Sequence, residues 1–147
     1  MTMPFGLALC LTGAALAVAG CGGTEDPPDI ARTAAAGKPL TLTAREYLFT
    51  PNRITLRGNG GAEDAPSTAG GSSDATRQTI ALRNQGELAH NIEVLQGDRV
   101  VGKLRSFPPG QTRSITLPLD PGSYRFVCTV ADHDEKGMRG TLDLRRG

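Results

Sequence analysis

The stretch SYRFVCTVADHDEKGMRGTLDLR, residues 123–145, reads as a strand, a loop and a second strand. SYRFVCTV and GTLDLR are short runs that alternate apolar and polar residues, the period of a half-buried strand. Between them Cys128, His133 and Met138 fall at even five-residue steps. Cys128 would end the first strand, four residues of turn would bring back His133, and four more would return the chain to Met138. Gly137 and Gly140 bracket the methionine and let the backbone bend sharply there.

Working outward, the same short alternation recurs. LTLTAREYLF and NRITLR stand on either side of Pro51, and TIALRN, NIEVLQ, VVGKL and RSITLPL follow before residue 123. Turn signals separate them at Asn84-Gln85-Gly86, Gly97-Asp98, Pro108-Pro109-Gly110 and Asp120-Pro121-Gly122. Seven or eight strands at this spacing, with no sustained helical period, predict an all-β antiparallel sandwich or barrel. One segment interrupts them. Residues 58–77, GNGGAEDAPSTAGGSSDATR, lack large apolar side chains and read as a flexible loop inserted between two strands.

The chain of 147 residues carries 16 basic and 15 acidic side chains for a net charge of +1, about one domain's worth with no basic run suited to nucleic acid. The first residues differ from the rest. FGLALCLTGAALAVAG is uncharged, too short for a comfortable membrane span and of the right length for a signal core. It ends VAGC, a small-residue cleavage site directly before a cysteine, and this resembles the lipobox of bacterial lipoproteins. The resemblance implies a signal peptide over 1–20, acylation of Cys21, export, and anchoring of the mature chain to the outer face of a membrane. One feature departs from that pattern: MTMPFG carries no Lys or Arg. Residues 21–38, polar and bearing Pro and Gly, then read as a tether, leaving 39–147 as the folded domain. Cys10 leaves with the signal and Cys21 carries lipid, so the domain keeps only Cys128. A lone thiol in an oxidising compartment needs burial or a metal.

The protein has two histidines. His90, in NQGELAHNIEVL, opens a strand after a Gly-containing loop, and a sandwich can bring that strand beside the final pair. Each residue has an ordinary reading: a cysteine on an apolar strand is usually a small core residue, and a methionine is usually filler. The conjunction of both histidines, the domain's only thiol and a methionine in an all-β chain outweighs those readings. A Cys–His thiol enzyme would need a third orienting group. Zinc on His90, Cys128 and His133 would leave its fourth position unexplained, thioether being a poor zinc ligand. Two imidazoles, one thiolate and a weak axial thioether suit copper cycling between two oxidation states.

At this point REYLFTPNRITL, AHNIEV, PPGQTRSITLPLDPGSYRFVC and the His-x4-Met-x-Gly-Thr-Leu run together resemble the cupredoxins, the blue or type 1 copper proteins. The likeness runs from about Leu40 to Arg145, and the Cys-x4-His-x4-Met loop is most similar to that of the rusticyanin-like members. The resemblance implies a Greek-key β-sandwich holding one type 1 copper at one end. His90, Cys128 and His133 would be equatorial ligands and Met138 axial, with Asn91 holding the ligand loop. Many relatives have Pro-Gly before the loop histidine where this chain has Ala131-Asp132, so a looser turn is expected.

With both histidines assigned, none is left for the type 2 or type 3 copper of an oxidase or nitrite reductase, and the expectation is a carrier without catalytic residues. It would be a monomer passing single electrons between redox proteins of the envelope. The acidic group Asp132, Asp134 and Glu135 would make a docking rim for a basic partner. A copper delivery or sensing module and a metal-free structural sandwich are the alternatives from other classes.

Overall fold

The structure, a computed structural model, describes residues 28–58 and 75–147. The expected signal peptide, Cys21, the first part of the tether and most of the 58–77 insertion lie outside the described residues.

Ten strands and no helix are found among the described residues: β1 (Ala31–Ala35), β2 (Leu40–Arg45), β3 (Leu48–Thr50), β4 (Arg53–Arg57), β5 (Thr76–Asn84), β6 (His90–Gln96), β7 (Arg99–Phe107), β8 (Thr112–Leu119), β9 (Gly122–Val127) and β10 (Arg139–Arg145). They form a six-stranded sheet in the order β1-β4-β10-β9-β6-β7 and a four-stranded sheet in the order β3-β2-β5-β8. The chain crosses between the sheets after β1, β3, β4, β5, β7 and β8, the connectivity of a Greek-key sandwich.

Period-two burial builds the core between the sheets. Leu40, Leu42 and Ala44 of β2, Ile80 and Leu82 of β5, Ile54 and Leu56 of β4, and Leu142 and Leu144 of β10 all point inward. Phe49 of β3 meets Phe126 of β9 edge to face, with ring centroids 5.5 Å apart, and so joins the two sheets. The edge strand β7 is mostly exposed and carries Arg99, Lys103 and Arg105, charges that discourage further strand pairing.

Three sequence expectations are corrected. Ten strands are found among the described residues rather than seven or eight, because LTLTAREYLF is two strands, β2 and β3, folded back at Glu46–Tyr47, and β1 is an additional one. The sandwich is mixed rather than antiparallel: β1 with β4, β4 with β10 and β2 with β5 run parallel. Residues 31–35, assigned to the tether, are strand β1. No apolar alternation marks β1, whose side chains are exposed or half-buried. It is held by its backbone along β4, and just before it Ile30 N–H donates to Asn52 Oδ1 (2.7 Å) while Ile30 carbonyl accepts from Asn52 N–H (3.0 Å). Strand β5 likewise begins at Thr76, inside the expected loop.

Gly140 serves packing rather than bending. A Cβ built there would collide with Asn52 carbonyl and stand 2.6 Å from Phe126 Cε2, so β10 can lie against both only without a side chain. Gly140→Ala is therefore expected to destabilise the fold by about 1–3 kcal/mol, the usual cost of overpacking. Chemical denaturation measures it, and an unchanged midpoint would contradict this account of the β10 packing.

Candidate metal centre

His90 owes its direction to the loop before it. The buried Asn84 ends β5, and its side-chain amide donates to the carbonyls of Leu88 (2.9 Å) and Phe107 (3.1 Å) while its Oδ1 accepts from Gly86 N–H (3.1 Å). The turn is thus bonded from within, and His90 enters β6 with its ring fully buried. The other donors come from the β9–β10 connection. Cys128 N–H donates to Met138 carbonyl (3.0 Å) and Met138 N–H donates to His133 carbonyl (2.9 Å), so the loop closes on itself. Gly137 takes the left-handed backbone (φ 97°) that the chain needs just before Met138.

The structure brings His90, Cys128 and His133 together, their donor atoms all within 4.8 Å of one another. Cys128 Sγ lies 3.5 Å from His133 Nδ1 and 3.9 Å from His90 Nδ1, and the imidazole centroids are 5.0 Å apart. Donors about 2.1 Å from one ion and about 120° apart would stand about 3.6 Å from each other, so the triangle fits a single ion. Met138 is fully buried, and its backbone is bonded to both Cys128 and His133. No other group of three or more His, Cys, Asp or Glu side chains poised to hold a metal occurs among the described residues.

His90 turns Nδ1 toward Cys128, while its Nε2, on the side of Gly86, is buried with no hydrogen-bond partner. Burial also raises the Cys128 thiol above its ordinary range and lowers the His90 imidazole below its own. Both shifts favour the uncharged forms, so a metal would displace the thiol proton and take up an imidazole lone pair.

Asn91 is bonded to the segment that follows Cys128. Its Oδ1 accepts from Thr129 N–H (2.7 Å) and its amide donates to Thr129 Oγ1 (2.8 Å). This reciprocal pair ties the residue after His90 to the residue after Cys128. The turn at Ala131-Asp132 is hydrogen-bonded on both sides. Ala131 itself adopts the left-handed region (φ 46°), and bonds from His133 N–H to Val130 carbonyl and from Lys136 N–H to Asp132 carbonyl close the turn. Of the acidic group, Asp134 is half-buried and the exposed Asp132 is ion-paired with Lys136 (3.1 Å). That pair holds the Asp132 carboxyl below its usual range.

Sequence reasoning missed Tyr47, whose ring stands edge-on to the His133 imidazole with centroids 5.2 Å apart. It also missed Thr129 and Asn84. Only the Asn-Gln-Gly turn pointed toward Asn84. Nothing local marked Tyr47, which looked like one more position of a continuous strand.

No protein-family model matches the sequence, and no curated protein does. Solved structures do match in fold. Auracyanin from Roseiflexus castenholzii is similar at 15% identity with a TM-score of 0.56, covering 73% of this chain and 96% of its own. Auracyanin A, a "blue" copper protein from Chloroflexus aurantiacus, gives 14% identity and 0.55 over 76% of this chain and 100% of its own. Rusticyanin from Thiobacillus ferrooxidans gives 18% and 0.54 over 77% and 82%. The fold is the cupredoxin β-sandwich.

A divalent ion entering the triangle must displace the thiol proton, so its affinity should rise with pH by about tenfold per unit below the thiol pKa. Titrating the metal-free protein with Zn(II) at pH 7 is expected to release about one proton per ion bound. Cys128→Ser should abolish the release. A wild-type protein that binds Zn(II) without releasing a proton would contradict the thiol as donor.

Proposed function

We propose that the protein is an exported, lipid-anchored carrier of single electrons built around one type 1 copper. The observation that carries this reading is the buried triangle of His90, Cys128 and His133 at one end of a cupredoxin sandwich. In this reading those three residues, with Met138, would hold the copper. Bound there, copper supplies a one-electron couple, Cu(II)/Cu(I), that thiolate and thioether favour in its reduced form and imidazole tolerates in its oxidised form.

The chain's own residues do the rest. Burial of all four side chains excludes water, so no solvent ligand has to be gained or lost as the charge changes. The Asn91–Thr129 pair and the closed loop hold the donors in one arrangement for both oxidation states, which keeps reorganisation small. His133 is 4% exposed, the least covered of the four, and its edge is the favoured route for an electron to leave. Both histidines of the protein belong to this one group, and a second copper centre of the catalytic kinds would need more imidazoles. The same burial weighs against a copper-delivery role, since a transfer partner would have to reach the donors.

Around the loop, Glu135 and the paired Asp132 offer a weak acidic edge to a basic redox partner, and Leu88, 41% exposed two residues before His90, offers an apolar contact. Attachment to the membrane is assigned to Cys21. Among the described residues no helix is long and apolar enough to cross a membrane.

Adding Cu(II) to the purified protein is expected to give intense visible thiolate-to-copper charge transfer and a narrow copper hyperfine splitting in electron spin resonance. Both should vanish in Cys128→Ser. A wild-type protein that binds Cu(II) and stays colourless would overturn the proposal.

A further inference from the structure

The turn between β2 and β3 consists of two residues, Glu46 and Tyr47, and each reaches a different loop of the candidate centre. Glu46 Oε1 accepts the backbone N–H of Glu87, in the loop that leads to His90. The same loop is tied to β2 by Gln85 N–H on Ala44 carbonyl (2.8 Å) and by Arg45 Nη2 on Gln85 Oε1 (3.3 Å). The approach is close. A Cβ placed on Gly86 would collide with Glu46 Oε1 and stand 2.9 Å from His90 Nε2, so glycine is required for the carboxylate and the imidazole to face the same gap.

Tyr47 points the other way. Its ring meets the His133 imidazole edge to face at an interplanar angle of 81°. On the same ring sits Lys136 of the ligand loop, with Nζ 4.5 Å from the centroid and 3.3 Å from the tyrosine hydroxyl. Lys136 is also the partner of Asp132, so the cation braces the loop on both sides of His133. Tyr47 makes these contacts from a left-handed backbone (φ 60°), a conformation that a bulky residue adopts only when its surroundings impose it. Glycine or asparagine would suit the turn better. A tyrosine held there against that preference points to a use for its ring.

We propose that the Glu46–Tyr47 turn is a two-armed clamp that sets the spacing of His90 and His133, with Glu46 fixing the first loop and Tyr47 the second. Neither residue is a ligand; both are positioning residues. The inference rests on reading His90 and His133 as copper ligands, but half of its test needs no metal.

Amide hydrogen exchange in the metal-free protein compares the wild type with Tyr47→Phe and Tyr47→Gly. Glycine relieves the backbone strain while removing the ring. The amides of Gly137 and Met138, bonded to the carbonyls of Asp134 and His133, are expected to exchange roughly tenfold faster or more in Tyr47→Gly. The amide of the core residue Leu82 should keep its wild-type rate, and Tyr47→Phe should stay within about threefold of wild type throughout. Unchanged rates at Gly137 and Met138 in Tyr47→Gly would overturn the Tyr47 arm. After addition of Cu(II), Glu46→Ala and Tyr47→Gly should each widen the copper hyperfine splitting and shift the reduction potential. Glu46→Gln, which keeps an acceptor oxygen for Glu87 N–H, should restore the wild-type values. Wild-type spectra in both Glu46→Ala and Tyr47→Gly would overturn the clamp. Should Tyr47→Gly fail to fold, the Glu46→Ala and Glu46→Gln pair decides the outcome. A wild type without thiolate charge transfer would sink the copper reading alone, and the exchange rates would still decide the Tyr47 arm.

Discussion

Two backbone hydrogen bonds hold the candidate centre in place: Cys128 N–H to Met138 carbonyl and Met138 N–H to His133 carbonyl. They turn the eleven residues between β9 and β10 into a closed loop whose three chemically soft or basic side chains are buried at its inner end. The sheet supplies the anchor for this loop. β9 and β10 pair antiparallel from Val127–Arg139 down to Gly122–Leu144, so the loop cannot change length without breaking a ladder. His90 arrives from β6, the strand hydrogen-bonded to the other side of β9. Thirty-eight positions separate it from Cys128 in sequence, and one strand spacing separates them in space.

Burial is the second constraint, and it acts against the metal-free protein. A buried thiol and two buried imidazoles are costly in a core otherwise made mostly of aliphatic and aromatic side chains. Such a group persists because something else is gained, and a bound ion would satisfy three donors at once. The elements around it are arranged to prevent relaxation: Asn84 braces the loop before His90, Asn91 and Thr129 join two donor-bearing segments, and the Glu46–Tyr47 turn leans on both imidazole loops. A rigid, dry pocket of this kind suits a reaction in which only an electron moves.

Much of this was legible in the sequence, and the misses have physical causes. Side-chain alternation revealed β4, β5, β6, β8, β9 and β10, because each buries one face and the period of two is written in its residues. It could not reveal β1, whose pairing with β4 is a matter of backbone and of the Asn52 side chain, with no apolar face to leave a pattern. It could not divide β2 from β3 either. The turn there has a glutamate and a tyrosine where turn chemistry favours glycine or asparagine, so LTLTAREYLF looked continuous. The grouping of His90, Cys128 and His133 was legible because His and Cys are rare in this chain. Its support was less so: Tyr47 and Thr129 act through position in space, and only Asn91, adjacent to His90, stood near enough in sequence to be named.

The central claim is that one ion is held by two imidazoles and the Cys128 thiolate. X-ray absorption fine structure of the Cu(II)-loaded protein tests it most directly. One sulfur and two imidazole nitrogens at short range are the result this account predicts. A first shell of nitrogen and oxygen alone, with no sulfur, would contradict it.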